Sequence, residues 1–148
     1  VYAMLARHVG FDSALLIRGV EGGIVPSLRQ EGKAFYYHDR GEEVDMAIQP
    51  EALGIQQSVR AVPLPEALPK TVRGGDEIAI AVDIQATAQA AAEQGRAALG
   101  GERGAMYDSL VLSTALILHH VGRAGSLEDA AAQVRAVLDA GSALKRLA

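Results

Sequence analysis

Three glycine clusters are the first candidates for chemistry: Gly19 with Gly22-Gly23, then Gly74-Gly75-Asp76, then Gly100-Gly101 with Gly104. Backbone amides at such turns can cradle a phosphate or another anion. None of the three is followed by Lys-Ser or Lys-Thr, and none has the GxGxxG spacing. A P-loop and a dinucleotide fingerprint are therefore excluded, and tight turns are the plainer reading. Arg18 and Gly19 close the apolar run Ala14-Leu15-Leu16-Ile17. A cation beside a glycine turn at a strand end sits where α/β folds hold ligands, so Arg18 and Gly19 are candidate phosphate- or nucleic-acid-binding residues. Arg73, just before Gly74-Gly75, is a second candidate cation. The competing reading makes both arginines surface residues, paired with Glu21 and Asp76.

The remaining reactive side chains do not assemble into a catalytic set. His119 and His120 are adjacent, and neighbouring residues on a helix point about 100° apart, so they are poorly placed to share one metal ion. As polar residues before Gly122 they suit a helix end. No HExxH or comparable ligand spacing occurs around His8, His38, His119 or His120. Glu42, Glu43 and Asp45 could attract a cation, but they flank an expected turn and read better as a solvated hairpin tip. The serines lack a nucleophile-elbow context. With no cysteine in the chain, thiolate metal sites, disulfides and Cys nucleophiles are excluded, which fits a reducing cytoplasm. No catalytic residue, metal site or cofactor is expected.

The elements that must position these residues follow from the apolar spacing. Val1, Met4, Leu5 and Val9 have helical period, with Gly10 as the expected C-cap. The continuous run 14–17 reads as a buried strand, expected to lie parallel to its neighbours. Ile24-Val25, Ala34–Tyr37 and Val44–Ile48 are β-prone and separated by turn signals, among them Asp39-Arg40-Gly41-Glu42, which predicts an antiparallel hairpin or meander. Pro50, Gly54, Pro63, Pro65 and Pro69 mark an extended crossing segment, and alternation predicts a further strand over Glu77–Ile84. Helices are expected over Ala86–Leu99, over Met106–Val121 as the central buried helix, and from Ser126 as N-cap to about Ala140. The expected fold class is α/β: a mixed sheet with a parallel core and an antiparallel hairpin, covered by C-terminal helices.

The composition sets limits around this picture. The chain has 148 residues, 49% hydrophobic and 22% charged, as in an ordinary globular domain. The net charge of −4 falls entirely within residues 1–85, and neither half carries a basic block, which argues against a dedicated nucleic-acid arm. The longest apolar run, Leu110–Leu118, falls short of the ~20 residues of a membrane span. No signal peptide is visible, and no membrane partner is expected. The opening at Val1, in mid-pattern, reads as part of something longer.

The order of segments resembles the anthranilate phosphoribosyltransferases, the glycosyltransferase family 3 enzymes. Leu15-Leu16-Ile17-Arg18-Gly19-Val20-Glu21-Gly22-Gly23 is similar to that family's strand and glycine turn, Val-Val-His-Gly-x-Asp-Gly-Leu-Asp-Glu. Ile48-Gln49-Pro50-Glu51-Ala52-Leu53-Gly54 resembles its Pro-Glu-Asp-Phe-Gly turn. Leu99 through Leu112 resembles its Leu-x-Gly-x-x-Gly-x-x-Arg-Asp-x-Val-Leu-Leu helix, and Ser126-Leu127-Glu128-Asp129 with Gly141–Leu144 resembles its closing segment. The resemblance implies that residues 1–148 form the C-terminal α/β domain, or its C-terminal portion, of a longer phosphoribosyltransferase-like protein, with the N-terminal helical domain absent.

The same resemblance shows where this chain departs. The family's Asp-Glu pair, which helps hold Mg²⁺ on the substrate diphosphate, falls on Ile24-Val25, and hydrocarbon side chains cannot ligate Mg²⁺. The family's His in the turn is Arg18, and the Asn ending its Val-Leu-Leu-Asn run is Ser113. Arg-Gly-x-Glu-Gly at Arg18–Gly22 looks closer to non-catalytic paralogues that bind nucleic acid. The resemblance thus implies nucleic-acid binding by a longer, homodimeric, cytoplasmic protein. The alternatives are a transferase with an altered acceptor and metal site, where Mg²⁺ would be expected, and a scaffold fragment without activity of its own.

Overall fold

A computed structural model describes residues 1–19, 25–63, 70–72, 80–82 and 84–147. Helix α1 (Tyr2–His8) leads into strand β1 (Ala14–Ile17), β2 (Gly32–Tyr37) and β3 (Val44–Ile48). A 3₁₀ turn (Glu51–Leu53) and the short strands β4 (Lys70–Val72) and β5 (Ile80–Val82) follow. Helices α2 (Ile84–Leu99), α3 (Ala105–His120), α4 (Leu127–Asp139) and α5 (Ser142–Leu147) complete the order. The α/β class, the hairpin and the C-terminal helical layer are as the sequence predicts.

The parallel pairing expected for residues 14–17 is corrected. β1 pairs antiparallel with β2, with Leu15 opposite Tyr36 and Ile17 opposite Ala34, and β2 pairs antiparallel with β3. A continuous apolar run signals burial on both faces, which does not by itself fix strand direction. Here one face meets the helices and the other is partly covered by α1. β4 and β5 form a second antiparallel pair. The strand expected over Glu77–Ile84 is present as Ile80–Val82, residues 77–79 and 83 lie outside the described residues, and Ile84 opens α2. Of the β-prone Ile24-Val25, Ile24 lies outside the described residues and Val25 is in no strand.

Local signals explain the ends of the elements. Asp39 and Arg40 have φ of 50° and 56°, the two positive values of a type I′ turn, whose twist matches a hairpin. Gly41 N–H donates to His38 O at 2.8 Å across it. A left-handed Arg is uncommon, and Arg40 is held by an ion pair to Asp12 at 2.8 Å and a bond to Gly10 O at 3.1 Å. The C-cap of α1 is Val9, with Gly10 one residue later at φ 101°. Ser126 Oγ accepts from Asp129 N–H at 3.0 Å, the N-cap read from the sequence.

The core lies between the sheet and the helices. Ala34 and Ile48 pack in one cluster with Tyr107, Val111, Leu112, Ala115 and Leu116 of α3, all buried. α3 is apolar nearly all round, yet Ile117 stays 56% exposed. Tyr107 is fully buried and donates its hydroxyl to Asp139 at 2.8 Å, while Arg103 lies 4.3 Å over its ring and pairs with the same carboxylate. Burial foremost, then that bond, pushes the phenol above its ordinary range. Among the described residues no helix is long and apolar enough to cross a membrane.

Candidate functional site

Strand register builds the site. Side chains two apart on a strand share a face, and so do residues directly opposite on neighbouring strands. Ile17 lies opposite Ala34, and Arg18 N–H reaches Lys33 O at 3.4 Å, so Arg18 extends β1 opposite Lys33. Two cations therefore face each other at the end of a ladder, an arrangement that costs stability. Two residues further along the same face, Phe35 lies opposite Leu16. The other face carries Leu15, Ile17, Ala34 and Met46 against the helices.

A loop forms the opposing wall. Ser27 is buried, and its Oγ accepts from Arg29 N–H at 3.2 Å and Gln30 N–H at 3.0 Å, which turns the chain. Leu28 N–H donates to Arg60 O at 2.9 Å and Arg29 Nη1 donates to Ser58 O at 3.3 Å, tying two loops together. Between the wall and the sheet lies an open cleft of about 590 Å³, lined by Arg18, Gly19, Lys33, Phe35, Arg60 and Glu31 among others. Among its described lining residues, three cations stand against one carboxylate, a positive balance in a chain of net charge −4. Among the described residues neither Arg18 nor Lys33 has a side-chain hydrogen bond or ion pair. Such a cleft concentrates anions.

Of the residues singled out in the sequence, Arg18 and Gly19 line this cleft. Arg73, with Gly74-Gly75-Asp76, lies outside the described residues, as do Glu21 and Gly22-Gly23. Lys33, Arg60 and Phe35 were not legible as site residues. The alternation in β2 hinted that Lys33 and Phe35 share a face, but which face meets Arg18 depends on pairing across the 14 residues between β1 and β2. The Glu42–Asp45 tip is exposed as expected, and among the described residues no group could hold a metal ion.

A second polar cluster joins parts distant in sequence. Ser13 Oγ lies 3.1 Å from His38 Nδ1 and 2.9 Å from His120 Nε2, and the two imidazoles stack at 4.6 Å with 19° between planes. Tyr36 meets both rings edge-on. His120, expected only as a polar helix end, thus pins the end of α3 to the end of β2. Its Nδ1 is buried without a partner. Burial foremost, then the charges of His38 and His119, holds its pKa below the usual 6.5. The C-terminal dipole of α3 acts the other way, favouring the charged ring. A depressed folded pKa means that stability present above about pH 6.5 is lost as pH falls through the folded value. The Tm should therefore drop as pH is lowered from 7 towards 5, and H120N should flatten that drop. Thermal unfolding followed by circular dichroism checks it, and an unchanged slope in H120N would refute it.

No family model matches the chain. It is 28% identical over 142 residues to the anthranilate phosphoribosyltransferase of Azospirillum brasilense, covering 95% of this chain and 34% of that protein. Its structure aligns with the crystal structure of anthranilate phosphoribosyltransferase from Thermus thermophilus at a TM-score of 0.57. That match has 24% sequence identity and covers 97% of this chain and 37% of the other, so the α/β fold is shared. The chain spans about a third of the length of both relatives.

Proposed function

We propose that this chain is the C-terminal α/β portion of a glycosyltransferase family 3-like protein that has exchanged diphosphate–Mg²⁺ chemistry for binding a nucleic-acid backbone. The similarity to anthranilate phosphoribosyltransferases supports the family, and Ile24-Val25 at the metal-ligand positions supports the loss of chemistry. The observation that carries the binding role is the Arg18–Lys33 pair. Two like charges opposite each other are a cost to the fold that a bound polyanion would offset. A homodimer belongs to the same reading and is checked by light scattering of the purified protein, and the lack of cysteine fits the cytoplasmic location that goes with it.

Backbone contacts release counterions, so affinity falls with salt, by about 0.7 to 0.9 in log–log slope per phosphate neutralised. At net −4 the 148-residue chain should bind DNA weakly, with a slope of roughly −1.4 to −1.8 from Arg18 and Lys33. A longer protein containing it should bind more tightly. R18A and K33A should each weaken binding to all sequences alike and reduce the slope by about 1. Fluorescence anisotropy at low and moderate salt tests this. Salt-insensitive binding, or none by the longer protein, would favour the transferase alternative, in which the same cleft holds the diphosphate of a sugar substrate.

A further inference from the structure

The cleft contains one group that a purely electrostatic site does not need. Phe35 lies two residues along β2 from Lys33, about 6.8 Å at strand rise, on the face that Arg18 and Lys33 share. It is partly exposed, with its ring lining the cleft beside the cations. The next residue on that face, Tyr37, is fully buried with Arg7 4.6 Å over its ring, so it offers no second platform. On the far side Phe35 lies opposite Asp45, which repels phosphate and leaves the Arg18 side as the path for a backbone.

We propose that the cleft takes a single-stranded nucleic-acid segment, with one base stacked on the Phe35 ring and the adjoining phosphates on Arg18 and Lys33. This rests on the nucleic-acid reading above and narrows it. In a duplex the base faces are stacked within the helix and cannot reach a ring on the floor of a cleft. A single strand turns a base out and sets its phosphate at about one nucleotide's reach from it. Sheet faces carrying an aromatic residue among cations bind single strands in this way, and the stacking tolerates any base because every base has a π face. Preference for strand form, without preference for sequence, is the resulting specificity.

The chain contains no Trp, so Phe35→Trp introduces a unique reporter at the platform. The 148-residue chain and its variants are titrated at low ionic strength with a dT oligomer, the matching RNA oligomer, an abasic oligomer of equal charge and a duplex. F35A and F35L should each lose single-strand affinity by about fivefold or more, the scale of one stacked base, with duplex binding and salt slope unchanged. F35L keeps the apolar volume and guards against a folding defect. F35W should keep the affinity and be quenched by dT and RNA oligomers but not by the abasic one. Equal affinity of F35A, F35L and the parent for dT, or an unquenched F35W, while salt-dependent binding persists, would overturn the stacking inference alone. No binding of any probe by the parent would overturn the nucleic-acid reading together with it.

Discussion

Given phosphoribosyl pyrophosphate, anthranilate and Mg²⁺, this chain is expected to form no phosphoribosyl anthranilate, alone or within a longer protein that contains it. Transfer of a pentosyl group from a diphosphate depends on a divalent ion that neutralises the leaving group, and Mg²⁺ requires oxygen ligands in near-octahedral geometry. At the two positions where the resemblance places those ligands, this sequence has Ile24 and Val25. Arg18 stands where the resemblance places a His, and it lines a cleft with Lys33 instead. Ser113, in place of an Asn, lies half-buried in α3. I24D/V25E should therefore not restore turnover, because the other positions are also changed. Steady-state assays decide the point: a kcat near the ~10 s⁻¹ common among enzymes, in the parent or in I24D/V25E, would refute it.

The second large effect is on stability. Leu116 is fully buried in the cluster that joins α3 to the sheet and α4, while Ile117, the next residue, is 56% exposed. Leu116→Ala should cost about 2–5 kcal/mol, from lost transfer energy and the cavity left behind. That is a large share of a typical total stability of about 5–15 kcal/mol. The Tm should fall by roughly 4–20 °C for a domain of this size. Ile117→Ala should cost less than about 1 kcal/mol. Denaturant unfolding of the two variants measures the contrast. Similar midpoints would mean that α3 does not sit as described.

That contrast separates what the sequence determined from what only the tertiary structure decided. Signals of a few residues were legible: the Asp39-Arg40-Gly41 turn with β-prone runs on both sides, Ser126 capping α4, and the helical period of α1. Each depends on interactions between residues at most four or five apart, which the local sequence contains in full. Arg18 could be picked out as a cation at a strand end for the same reason. The direction of β1, the pairing of Arg18 with Lys33 and the approach of Phe35 to them were not legible. A strand's apolar run says that it is buried but not which neighbour it pairs with, and a shift of one residue would turn Lys33 and Phe35 to the opposite face. His120 was legible only as a polar helix end, because its partners Ser13 and His38 lie 107 and 82 residues away and meet it only once α3 packs across the sheet. In α3, where apolar residues are spread around most of the helix, the face that packs on Ala34 and Ile48 is chosen by the sheet beneath it, and no periodicity within the helix could have marked it.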